Sequence, residues 1–190
     1  NDPSKRQAYR ESLETALKKA ARLHCPALIT QVGQDTGAPR SEQHKAIVDG
    51  LCDMLPLLRQ ANVTLLVEPL NDVRDHPGYY LTDSQEGFEI IREVNDPHVR
   101  LLFDIYHQLH MKEDVQARIF DNLPLIGHFH VAGYPRRDEA IFETYDYAPL
   151  FDVLEAAGCR VPIGLELRPS CSQAREKLLQ QVLHWQDPQN

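Results

Sequence analysis

Four residues able to bind metal or move protons recur at one kind of place in this sequence. Glu68 follows the apolar run Val63-Thr-Leu-Leu-Val67, and Asp104 follows Val99-Arg-Leu-Leu-Phe103. His130 follows Leu125-Ile-Gly-His-Phe129, and Glu166 follows Val161-Pro-Ile-Gly-Leu165. Short apolar, partly β-branched runs of this kind read as strands buried on both faces. Pro69 forbids the first run from continuing as an inner ladder member. The successive intervals are 36, 26 and 36 residues, each long enough for the helix, loop and next strand of a βαβ crossover. Such side chains at corresponding ends of four parallel strands converge on one face of a sheet. Three carboxylates and one imidazole suit a single divalent ion, Mg²⁺, Mn²⁺, Co²⁺ or Zn²⁺, and not a thiolate-rich structural zinc. Without a cation, three carboxylates packed together repel strongly.

Other residues fall around these tips. His107 lies just past the Asp104 strand, where side chains reach the mouth of the site, and is read as a substrate contact. His128 shares a strand face with His130, one layer deeper, and fits either a core or a functional role. Arg136 and Arg137 follow the His130 strand as the positive groups available for a substrate oxygen or carboxylate, and one of the two is expected to be merely solvated. His24, His44, His76, His98 and His110 fall in helices or loops and are read as surface residues. There is no glycine-rich phosphate loop, no GxSxG and no kinase signature.

The elements that position these residues alternate regularly. Helical spacing runs from Ser4 to about Leu23, and a strand is expected over 27–32, closed by Gly33. A long helix follows, with Ser41 read as its cap and Pro56 as an expected kink. Thr82 or Asp83 caps the next helix, and another covers about Asp114 to Phe120. A helix through Leu150 and Leu154 stops at Gly158, and a last one spans Ser172 to Trp185. One helix followed by five βα units means an α/β fold with a parallel sheet covered on both faces. An open doubly wound sheet gathers ligands at one switch point. A (β/α)₈ barrel brings every strand end to one mouth, so four contributing strands favour the TIM barrel. A whole barrel takes typically about 250 residues and this chain has 190. The expectation is one partial domain over residues 1–190: the C-terminal five βα units present, roughly three N-terminal units missing, and open strand edges that invite pairing into a homo-oligomer.

Lys and Arg number 20 against 28 Asp and Glu, a net charge of −8. That disfavours nucleic acid or a membrane surface as partner and leaves a small-molecule substrate. No apolar run approaches the roughly 18 residues of a membrane span. Cys25, Cys52, Cys159 and Cys171 show no CxxC spacing. They are expected to be reduced and buried, as in a cytoplasmic protein.

Several motifs together resemble the hydroxypyruvate isomerase group of the xylose isomerase-like barrels. They are Glu68-Pro-Leu-Asn71, Asp75-His-Pro-Gly-Tyr-Tyr-Leu81, Phe103-Asp-Ile-Tyr-His107, Ile126-Gly-His-Phe-His-Val-Ala132, Pro135-Arg-Arg137 and Gly164-Leu-Glu-Leu-Arg-Pro169. The resemblance implies a (β/α)₈ barrel with one divalent metal held by Glu68, Asp104, His130 and Glu166. It makes Glu68 and Glu166 the acid/base pair, and His107 and Arg136 substrate-binding residues. His130 stands where hydroxypyruvate isomerases usually carry Gln, and matches the pattern of ketose 3-epimerases. The implied activity is an aldose–ketose type isomerisation or epimerisation of a small hydroxy-carbonyl compound, by proton transfer through an enediolate. The alternatives are a metal-dependent phosphodiesterase of the endonuclease IV type and a non-catalytic binding barrel.

Overall fold

In a computed structural model of the chain, residues 1–141 and 145–186 are described. A 3₁₀ turn, Pro3–Lys5, leads into α1 (Arg6–Leu23), then β1 (Ala27–Thr30), α2 (Arg40–Ala61) and β2 (Thr64–Val67). Next come α3 (Ser84–Val94), β3 (Val99–Asp104), α4 (Ile105–His110), α5 (Val115–Asn122) and β4 (Ile126–Val131). The described elements close with α6 (Ala148–Ala156), β5 (Ile163–Leu165) and α7 (Ser172–Gln186). Among the described residues no helix is long and apolar enough to cross a membrane.

The five strands pair in sequential order, β1-β2-β3-β4-β5, each parallel to the next. A doubly wound sheet would reverse its order at a switch point, and this one does not. Right-handed crossovers taken in one direction put every helix on the same side of the sheet. The sheet is therefore covered by helices on one face, not on both as the alternation suggested, and forms a half-barrel. Leu65, Val67, Val99, Leu101, Phe103, Phe129 and Val131 face the helices and join Leu58, Phe88, Ile91 and Leu150 in the core. The alternate residues Leu66, Arg100 and His128 line the concave side. Ile29 there is 50% exposed.

Helix boundaries follow local chemistry. The Asp83 side chain accepts a hydrogen bond from the Gln85 N–H and caps α3. Ser41 does not cap α2: the helix begins one residue earlier, after Pro39, with Glu42 in its first turn. Pro56 lies within α2 and the helix runs on to Ala61. The helix α4 had no counterpart in the sequence reading. It is only six residues long and starts because Asp104, at the tip of β3, accepts from the backbone N–H groups of Tyr106 and His107. The cysteines are free as expected, but Cys25, Cys52 and Cys171 are exposed, not buried. Cys52 sits beside the buried Leu51 of α2, yet on its solvent side.

His44 is not an ordinary surface residue either. From α2 it bridges two glutamates of α3, with Nδ1 3.1 Å from Glu86 Oε1 and Nε2 3.0 Å from Glu93 Oε1. Burial lowers its pKa, but the two glutamates outweigh burial and hold it above its ordinary 6.5. A raised folded-state pKa means the stabilisation is complete below the ordinary value and is lost as pH rises through the folded one. His44→Ala should therefore cost roughly 0.5–1 kcal/mol near pH 6 and less at a pH well above the ordinary value. Urea unfolding at the two pH values measures this, and an equal cost at both would exclude the ion pairs as the cause.

Candidate active site

The half-barrel brings the four strand-end residues together. Glu68, Asp104, His130 and Glu166 each offer one ligand atom, and these atoms all lie within 4.8 Å of one another. Register explains the convergence. Asp104 pairs with His130 across β3 and β4, and His130 with Gly164 across β4 and β5. Glu166 follows two residues after Gly164 on the same face. Gly164 is small for a reason. A Cβ there would lie 2.8 Å from His128 Nε2 and 3.0 Å from His130 Cδ2, so the two imidazoles, packed edge to face, occupy the space of the missing side chain.

Glu68, Asp104 and His130 are buried, while the Glu166 side chain is 49% exposed. His130 Nδ1 is 3.0 Å from Glu166 Oε2 and 3.6 Å from Glu68 Oε1. Yet Glu68 Oε1 and His130 Nδ1 are both buried without an aligned hydrogen bond. That orphaned pair, with an oxygen-rich donor set and one imidazole, fits a hard or borderline divalent ion.

Charge is tightly balanced here. Burial, and after it the Glu68 carboxylate, push Asp104 up to about 7 against the pull of Arg137 and His130. Burial lowers His130, but Glu166, Glu68 and Asp104 outweigh it and hold the imidazole at about 9. His130, and to a lesser degree Arg137, draw Glu166 down to about 2 despite its partial burial.

Of the two arginines after β4, Arg136 is the solvated one. Its side chain is 63% exposed and paired with Asp138. Arg137 turns inward. Its NH2 lies 2.7 Å from Glu166 Oε2 and 3.5 Å from Asp104 Oδ2, and its guanidinium lies over the Tyr106 ring at 5.1 Å. The loop folds back so that Gly133 N donates to Asp138 O and Arg137 N to Gly133 O. That places Arg137 at φ 62°, a left-handed conformation uncommon for a residue with a Cβ. No periodicity exists in a loop of this kind, so spacing could not separate the neighbours.

His107 is fully buried at the base of α4. Its Nε2 lies 3.5 Å from Asp104 Oδ2, and its ring is 5.4 Å from that of His76. His76 is thus a wall of the site and not a surface residue. Burial, then Arg137 and His76, bring His107 down to about 3. Asn71, Asp75 and Tyr106 complete this wall: Asp75 Oδ2 accepts from Asn71 Nδ2 and from the Tyr106 hydroxyl, each at 2.8 Å. These residues stood in the sequence motifs, but nothing in their types marked them out.

The family description "Xylose isomerase-like TIM barrel" matches residues 1–189. The chain belongs to that family. A relative from Mus musculus is 32% identical over 173 residues, 88% of this chain and 62% of its own length. The 2-oxo-tetronate isomerase of Cupriavidus necator is 30% identical over 172 residues, 88% of this chain and 64% of its own. The hydroxypyruvate isomerase of Escherichia coli is 27% identical over 187 residues, 98% of this chain and 70% of its own. The chain thus spans less than two thirds of the first two relatives. Among solved structures, an AP endonuclease, family 2, from Brucella melitensis superposes with a TM-score of 0.85 at 28% identity, over 98% of this chain and 69% of that one. D-psicose 3-epimerase from Clostridium cellulolyticum superposes at 0.81 and 14% identity, over 97% and 71% of the two chains, and shares the fold.

Gly164→Ala should destabilise the protein by about 1–3 kcal/mol through overpacking, because the new methyl meets His128 and His130. Chemical denaturation reads the loss. A variant as stable as the parent would mean that the imidazoles yield freely and that the close approach is not required.

Proposed function

We propose that the protein is a metal-dependent isomerase or epimerase of a small hydroxy-carbonyl compound, of the hydroxypyruvate or ketose type. The observation that carries this reading is the convergence of Glu68, Asp104, His130 and Glu166 at the strand ends. The names of the Escherichia coli and Cupriavidus necator relatives support the reaction class. The four residues would hold one Mg²⁺, Mn²⁺, Co²⁺ or Zn²⁺. When bound, such an ion supplies Lewis-acid polarisation of a carbonyl, which acidifies the carbon-bound proton beside it.

The chain's own residues then do the rest. Glu68 and Glu166 come from non-adjacent strands and present carboxylates from two sides of the cluster. One takes the proton from the carbon beside the carbonyl, and the bonding pair delocalises onto the carbonyl oxygen. In an isomerisation a carboxylate returns the proton to the former carbonyl carbon while the neighbouring hydroxyl proton passes to the former carbonyl oxygen; in an epimerisation the opposite carboxylate returns a proton to the other face of the same carbon. Glu166, drawn down by His130 and Arg137, is ionised at neutral pH, the protonation state a base needs. His107 donates to a substrate oxygen. Arg137, which already reaches the carboxylates, supplies the positive charge that the sequence reading gave to Arg136. A phosphodiesterase remains the second reading, favoured by the likeness to the Brucella melitensis AP endonuclease, family 2, and disfavoured by a single imidazole in the ligand set and the charge of −8.

Elemental analysis after loading with Mn²⁺ should give one ion per chain, and Glu166→Gln should weaken or abolish its retention. Binding must displace the protons on Asp104 and His130. Affinity should therefore rise with pH across neutrality, by about tenfold per pH unit for each proton released. A protein that holds no metal under any loading condition sinks the site. Solvent-deuterium wash-in beside the carbonyl, on hydroxypyruvate and a panel of ketoses, tests the chemistry. Glu68→Gln and Glu166→Gln should each slow exchange by at least about 10²-fold. Equal exchange by Glu166→Gln and the parent refutes the acid/base assignment, and phosphodiester cleavage without exchange would establish the second reading.

A further inference from the structure

His107 has two ring nitrogens in different company. Nδ1 lies 3.2 Å from the backbone N of Asn71 and 2.6 Å from Asn71 Nδ2. Nε2 is buried with no hydrogen-bond partner among the described residues, beside the metal-type cluster. The orientation of the Asn71 amide is settled independently of the histidine. Its Oδ1 accepts from the backbone N–H groups of Arg74 and Asp75 at 3.1 and 3.0 Å, and its Nδ2 donates to Asp75 Oδ2 at 2.8 Å. A flipped amide would set oxygen against carboxylate and NH₂ against two N–H donors, losing all three bonds. Both groups that Asn71 presents to the imidazole are therefore donors, and neither can accept a proton from Nδ1.

We infer that Asn71 is a positioning residue that fixes the tautomer of His107, keeping the proton on Nε2 so that the ring offers the site an N–H donor and cannot become a fifth metal ligand. A ring nitrogen that carries a proton has no lone pair for a cation, while the other is already taken by Asn71. The inference deepens the isomerase reading and rests on it for the identity of the acceptor, an oxygen of the substrate that gains negative charge. Asn71 is wholly buried and touches no reacting atom on this account, and it acts only through His107.

¹⁵N-histidine spectra of the full chain, metal-free and with Mg²⁺, read the tautomer directly. The expected pattern is a pyridine-type Nδ1 and a pyrrole-type Nε2 for His107 in both states. A protonated Nδ1, or loss of the Nε2 proton on adding Mg²⁺, overturns the inference, and this measurement needs no variant to fold. Asn71→Asp keeps an acceptor for the Arg74 and Asp75 N–H groups but replaces the side-chain donor, and should shift the proton to Nδ1. Exchange should then slow by roughly 10²-fold, the range seen on removing one preorganised donor, with metal stoichiometry unchanged. His107→Gln places an amide N–H near the former Nε2, with no tautomer to fix. Asn71→Asp in that background should cost much less. An equal cost in both backgrounds would make Asn71 a packing residue and refute its positioning role. The expected tautomer in a protein that exchanges no substrate would remove the isomerase reading and leave the assignment of Asn71 standing.

Discussion

Three carboxylates whose ligand atoms lie within a few ångströms of one another repel, and two of the three here are buried where water screens poorly. The fold tolerates Glu68, Asp104 and Glu166 together because His130 and Arg137 stand among them. That balance sets the rest of the site. Asp104 is pushed up and Glu166 down, so two chemically similar groups differ widely in basicity within one small volume. Arg137 pairs with Glu166, and its backbone is bent into an uncommon conformation to let it do so.

The sheet makes this convergence possible at little conformational expense. Sequential parallel pairing brings the same end of every strand to one rim, and alternation along each strand decides which side chains turn inward. On β4 the inward pair is His128 and His130, and on the neighbouring strand the inward position is Gly164, which leaves the imidazoles their room. Packing on the helix face and chemistry on the concave face are thus assigned by a single period of two. The loops then add detail: Arg74 and His110 both bond to the Pro135 carbonyl, tying the loop after β2 to the loop after β4 across the rim.

Much of this was legible in the sequence, for definite reasons. Five apolar runs separated by crossover lengths specify a parallel α/β sheet, and four of those runs end in ligand-type residues that the structure brings together. The residues that escaped are those whose placement depends on tertiary contacts. Arg136 and Arg137 are indistinguishable by type, and only the turn between Gly133 and Asp138 separates them. His44 and His76 sit in a helix and a loop that look polar, and only their neighbours from α3 and α4 give them a role. The cysteines were placed by the apolar character of their segments, whereas exposure is decided by the face each residue occupies. The short helix α4 has too few residues to show a period and begins because Asp104 provides a cap.

That cap couples two parts of the rim. Asp104 terminates β3, starts the helix that carries His107, and belongs to the cluster with Glu68, His130 and Glu166, so three structural roles fall on one side chain. Its Oδ1 holds the N–H groups of Tyr106 and His107 at 2.9 and 3.3 Å, leaving Oδ2 turned toward Arg137 and His107. Any replacement without a side-chain acceptor loses the cluster's carboxylate and the aim of the imidazole together. Asparagine, the nearest substitute in size, keeps the cap while surrendering the charge. The carboxylate cluster and the imidazole beside it are therefore aimed by one side chain, and neither can be altered at this position without disturbing the other.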